Sequence, residues 1–185
     1  MANKLIFKGF LFLLFSVNAY AVGGVVYCGS TNSLETFKNR YKEIKNDGTF
    51  NDDYRNTNYW AFYAGSTNSL ETFKNRYREI ENDGTVTDFY WAFYAGSTNS
   101  LETFKNRYRE IENDGTVADF YWAFYAGSTN SLKTFKNRFN EIENDDNFTS
   151  DGYCGSYAGS INSLKTFKNR YKEIENDGTI NFYRH

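Results

Sequence analysis

One phrase of residues is written five times in this chain, and that repetition restricts its fold more than any other feature. The copies begin at Gly29-Ser30, Gly65-Ser66, Gly96-Ser97, Gly127-Ser128 and Gly159-Ser160, at intervals of 36, 31, 31 and 32 residues. Each reads roughly GSTNSLETFKNRYxEIENDGT and is followed by an aromatic stretch such as FYWAFYA. A period in this range marks one supersecondary unit that buries its apolar face by stacking on its neighbours. Five near-equal sites suit a binding or scaffolding surface better than a single catalytic centre.

The first half of each copy reads as a helix. In the copy from Gly65, Leu70, Phe73, Tyr77 and Ile80 fall at spacings of three, four and three, one apolar stripe. Asn68 followed by Glu71 fits a capping box at the start. Asn82-Asp83-Gly84 ends the segment, with Gly84 suited to a left-handed C-terminal position. Glu71–Lys74 and Arg78–Glu81 are opposite charges three apart, each worth a few tenths of a kcal/mol at about 0.2–0.5.

The second half, Thr85 to Ala95, is aromatic and reads as strand, with a second short helix, and hence an all-helical solenoid, as the alternative. Strand is favoured because the matching stretches before the first and fifth copies, Gly23 to Cys28 and Gly152 to Ala158, each carry two glycines. Each glycine would cost a helix about 1 kcal/mol. The insertion Asn51 to Asn58 then falls at an exposed turn. Strand alternation would put Phe89, Trp91, Phe93 and Ala95 on one face and Tyr90, Ala92 and Tyr94 on the other. The tyrosines persist in the divergent fifth copy as Tyr153 and Tyr157. The expected fold is therefore α/β (or α+β): tandem β-α repeats of about 31 residues, with helices packed on one face of a sheet. The tyrosine face, made of Tyr59, Tyr63, Tyr90, Tyr94, Tyr121, Tyr125, Tyr153 and Tyr157, is the candidate ligand-binding surface, because tyrosines stack on sugar rings while their hydroxyls hydrogen-bond. Packing against a second layer or another subunit is the competing role for it.

Residues 1–21 read as a secretory signal peptide, with Lys4 and Lys8, an apolar run at Leu11–Phe15 and a cleavage site at Ala19-Tyr20-Ala21. No other apolar run is long enough to cross a membrane. Residues 22–185 then form one domain of five repeats, about 25–58, 59–88, 89–119, 120–150 and 151–185. The expected location is periplasmic or extracellular. Without the leader, 19 basic residues face 23 acidic ones. That balance argues against nucleic acid, which needs a basic surplus. In an exported chain the two cysteines, Cys28 and Cys154, read first as a disulfide. Aligned on the repeat, they are offset by four residues, about 13 Å along a strand. A bond needs Cα atoms within about 7 Å, so it requires antiparallel or shifted pairing, a local bulge or two chains.

Catalytic chemistry finds little support. The only histidine is the last residue, His185, which leaves no base for a Ser-His-Asp or Cys-His site. No His/Cys cluster suits zinc, and no cofactor is implied. Carboxylates are abundant, as in Glu79, Glu81, Asp83 and Asp88, and nothing marks out a glycosidase pair among the five copies. A calcium loop at Glu79–Tyr90 would place Tyr90 where a bidentate Glu belongs. Lys74-Asn75-Arg76 recurs in all five copies, either as a solvated helix flank or as a ladder of cations for an acidic polymer.

The run Val26-Tyr27-Cys28-Gly29-Ser30, an amphipathic helix, then Gly48, resembles the SPOR domain, an exported peptidoglycan-binding module. The gaps from Gly65 to Gly84 and from Gly96 to Gly115 are similar to that family's gap, as are the positions of Phe73 and Ile80. The resemblance implies a sheet whose face away from the helices binds glycan strands. The chain departs from the pattern where an aromatic follows Gly-Ser; Thr31, Thr67, Thr98, Thr129 and Ile161 stand there. The expected function is thus a non-enzymatic exported protein binding cell-wall glycan through its tyrosines. The alternative is a structural or adhesive protein that self-associates, or binds another protein, through the same face and exposed sheet edges.

Overall fold

The computed structural model describes residues 19–50, 56–145, 148 and 151–178, and among these there is no strand. Ten α-helices follow in order: α1 (Ala19–Gly29), α2 (Leu34–Asp47), α3 (Asn56–Gly65), α4 (Leu70–Asp83), α5 (Trp91–Gly96), α6 (Leu101–Asp114), α7 (Trp122–Gly127), α8 (Leu132–Glu143), α9 (Asp151–Gly159) and α10 (Leu164–Asp177). No helix among the described residues is long and apolar enough to cross a membrane. The leader expected at 1–21 lies outside the described residues up to position 18, and its cleavage site falls in the first turn of α1.

The even-numbered helices follow the apolar stripe. Phe73 and Ile80 of α4 are fully buried, as are Phe104 and Ile111 of α6. The cap is one residue later than the capping box suggests. Ser69 accepts the N–H of Thr72 at 3.1 Å, and Ser33, Ser100, Ser131 and Ser163 do the same for Thr36, Thr103, Thr134 and Thr166. Gly84 and Gly115 end their helices at φ of 65°, the left-handed turn that suits glycine.

The aromatic half corrects the α/β expectation. It is the second helix of an αα-hairpin, so the sheet, its edges and the tyrosine face defined by strand alternation have no counterpart among the described residues. A short segment that is apolar on every side carries no period to separate strand from helix. In α3, Tyr59, Ala61, Tyr63 and Ala64 are all buried. Two of the glycines that argued against helix mark close helix approaches instead. A Cβ on Gly152 would lie 3.2 Å from Val25 Cγ2, and one on Gly155 would lie 2.6 Å from Phe124 Cδ2. Tertiary packing thus outweighs the propensity cost of about 1 kcal/mol.

The odd-numbered helices form an inner ring in which each touches the next and α9 touches α1. Each even-numbered helix packs from outside on the odd helix that follows it, and α10 packs on α1 in the same way. The array is therefore closed, with the C-terminal Gly-Ser ends of all five inner helices converging on the ring axis. Phe62, Phe93 and Phe124 fill the centre, with ring centroids 4.1 and 4.8 Å apart between successive members. Val26 and Ser156 hold the two corresponding places in the first and last copies.

The expected disulfide is also corrected. Cys28 and Cys154 are both buried, lie apart and are not bonded to each other. On helices, a four-residue offset is a full turn, about 6 Å along the axis. Cys28 sits where other copies have Ala64 or Ala95, and burial pushes its thiol up to about 12. Cys154 stands where Trp91 and Trp122 donate to the carbonyls of Val86 and Val117 at 2.9 Å, and its Sγ faces the Phe148 carbonyl at 3.8 Å.

Candidate functional site

The most chemically loaded residues of the repeat meet at the junctions between copies. At one junction Arg107 of α6 reaches the C-terminal end of α7. Its Nη2 donates to the Tyr125 carbonyl at 3.0 Å, to Ser128 Oγ at 3.1 Å and to the Asn130 carbonyl. The guanidinium lies 4.0 Å over the Tyr125 ring. Asn99 Nδ2 donates to the carbonyls of Ala126 and Ser128 at 2.8 and 2.9 Å. The carbonyls at the end of the inner helix thus receive donors from the neighbouring copy, in addition to the local bonds from Ser128 to the Tyr125 carbonyl.

The same clasp is made across the ends of the chain. Arg170 donates to the carbonyls of Tyr27 and Asn32 and to Ser30 Oγ, and lies 4.0 Å over the Tyr27 ring. Asn162 donates to the carbonyls of Cys28 and Ser30 at 3.0 and 2.9 Å. Lys38 of the first outer helix pairs with Asp177 of the last at 2.9 Å, as Lys74 pairs with Asp47 and Lys105 with Asp83 at 3.0 and 2.8 Å. Asn68, read from sequence as a helix cap, is the Asn99 equivalent and bonds the carbonyls of Ala95 and Ser97. The sequence signal for the clasp was the sameness of Asn, Lys and Arg at these places in every copy.

The eight candidate tyrosines divide into two sets. Tyr63, Tyr94, Tyr125 and Tyr157 are about 1% exposed, and each donates its hydroxyl to a glutamate of the preceding outer helix: Glu43, Glu79, Glu110 and Glu141. One ring face is covered by an arginine, and a phenylalanine of the following helix packs edge-on, as Phe73 does on Tyr63 at 5.5 Å. Burial first, and then the bond to glutamate, pushes all four phenols up, Tyr157 to about 12. Tyr59, Tyr121 and Tyr153 are buried and Tyr90 is half-buried, each packed on an outer-helix aromatic; Tyr59 meets Tyr77 at 5.1 Å and Tyr121 meets Phe139 at 4.7 Å. The structure brings the tyrosines together as ring-to-helix packing, and seven of the eight present almost no surface.

No protein-family model, curated protein or solved structure matches this chain.

Two concavities among the described residues bear on binding. An axial cup of about 160 Å³, lined by the five Gly-Ser pairs and the central phenylalanines, is smaller than the roughly 300–1,000 Å³ of usual ligand pockets. Its rim serines are committed; Ser128 Oγ donates to the Tyr125 carbonyl and accepts from Arg107. A groove of about 420 Å³ on the outer wall is lined by Asp47, Leu70, Glu71, Lys74, Asn75 and Arg78. Its aspartate is held below the usual carboxylate range by the Thr49 hydroxyl and by Lys74. Asp83 is lowered likewise, by Lys105 and then Thr85. No cluster of metal-ligating side chains occurs among the described residues.

Proposed function

We propose that this chain is a non-enzymatic exported scaffold that binds a cell-wall polysaccharide, with peptidoglycan glycan as the first candidate, and that it does so through its outer wall. The observation that carries this reading is the cyclic repetition. Five outer helices present the same type of surface around one closed ring, while the tyrosines and arginines hold the ring together. A polymer with a repeating unit is the partner such a surface suits, because several weak contacts engaged at once multiply into useful avidity.

The test is retention of the purified protein on insoluble cell-wall sacculi, chitin and cellulose, followed by quantitative sedimentation. Retention on at least one of these, still present at high salt, is the expected outcome. Loss of all retention in moderate salt would assign the partner to a charged polymer, and no retention on any of them would remove the polysaccharide reading.

A further inference from the structure

Each outer helix carries one fully exposed stripe. In α4 it comprises Glu71, Asn75, Arg78 and Asn82, at spacings of four, three and four. The charged places vary between copies. Lys133 and Lys165 stand where Glu71 does, and Asn140 stands where Arg78 does. The asparagine does not vary: Asn39, Asn75, Asn106, Asn137 and Asn169 are all exposed in the middle of their helices. Asparagine is a poor helix former there compared with alanine. The only bonds the row makes to the described residues are long contacts from Arg78 to Asn75 and from Arg109 to Asn106, at 3.4 Å each. The fold therefore gains little from these five residues, whereas Lys74, Arg76 and Tyr77 beside Asn75 all have structural partners.

Asn75 lines the groove of about 420 Å³ beside the Lys74–Asp47 ion pair. An amide offers two donors and two acceptor sites without charge. The charges that flank the row differ in sign from copy to copy, Glu71 in one and Lys133 in another, so no single charged group on a partner fits all five places. What all five share is a neutral amide next to a self-compensated ion pair. We propose that this groove, and the asparagine beside the matching ion pair in each of the other four copies, take successive units of a neutral, hydroxyl-rich polysaccharide, with the asparagine amides bonding neighbouring hydroxyls. This assignment rests on the polysaccharide reading above and adds the site and the class of sugar polymer.

The experiment compares the full chain with a variant carrying alanine at Asn39, Asn75, Asn106, Asn137 and Asn169, on the same sacculi, chitin and cellulose. The variant should fold, with an unchanged helical circular dichroism spectrum and a melting temperature equal to or above that of the parent. It should lose retention by at least about tenfold, because five weak contacts are removed at once. The charge variant K133E/K165E should bind as the parent does. Equal retention of the parent and the alanine variant would overturn the site while leaving polysaccharide binding intact. A loss confined to the charge variant would overturn the neutral class. Absence of retention by the parent itself would overturn the functional reading and this site together.

Discussion

Replacing Arg107 by alanine is expected to lower the free energy of unfolding by about 3–5 kcal/mol, more than any surface charge change in the chain. The guanidinium bonds the Tyr125 carbonyl through both Nε and Nη2, at 3.3 and 3.0 Å, and also reaches Ser128 and Asn130. Truncation would remove a charged donor from all three acceptors, leaving the Tyr125 carbonyl only its bonds from the Ser128 N–H and Oγ, and would uncover the face of Tyr125. Lysine would not restore the loss, since one ammonium cannot reproduce a planar fork that also stacks on a ring. Lys105→Ala is the contrast. Its pair with Asp83 is 2.8 Å long but its side chain is 20% exposed, so the expected loss is about 0–1 kcal/mol. Urea unfolding followed by circular dichroism measures both. Similar small losses would mean that the junctions are held by packing alone.

The second large effect is alkaline. Tyr27, Tyr63, Tyr94, Tyr125 and Tyr157 all titrate above the ordinary phenol value in the folded ring, first because they are buried and then because each donates to a glutamate. In the unfolded chain they ionise near pH 10. A group whose folded value is raised contributes its stability below the unfolded value and loses it as pH rises toward the folded one. The ring is therefore expected to be insensitive to these groups up to about pH 9 and to unfold steeply above about pH 10, taking up to five tyrosinates in one transition. Simultaneous recording of tyrosinate absorbance and helical circular dichroism tests this. Coincident, steep curves are expected. Gradual ionisation near pH 10 with the helices intact would place the phenols in water.

How much of this was legible beforehand follows from which residues carry a period. Leu70, Phe73, Tyr77 and Ile80 mark one face, so the outer helices could be read almost to the residue. Tyr59 to Ala64 are apolar throughout, and such a segment looks the same as strand or helix. The glycines of the matching fifth-copy segment misled further, because Gly152 and Gly155 answer to Val25 and Phe124 of neighbouring helices, which only the tertiary arrangement reveals. Closure did leave a trace. An open array usually ends in altered, polar capping copies. Here the first and last copies retain Phe37 and Phe167, Lys38 and Asp177, as if neither were an end. The candidate site was hidden by contrast. Tyrosine and arginine attract attention as binding residues, but here they build the ring, whereas the exposed asparagines stand out only once that structural role has been assigned.

Closure itself is tested most directly by zero-length carbodiimide coupling of the dilute monomer, followed by peptide mass spectrometry. Lys38 and Asp177 lie 2.9 Å apart across the ends of the ring, the same relation as Lys74 to Asp47 within it. A closed ring yields the intramolecular Lys38–Asp177 amide along with the Lys74–Asp47 and Lys105–Asp83 amides. In an open stack of hairpins the two ends would be separated by four helix-to-helix steps of about 9 Å each. Recovery of the internal amides without Lys38–Asp177 would contradict the ring.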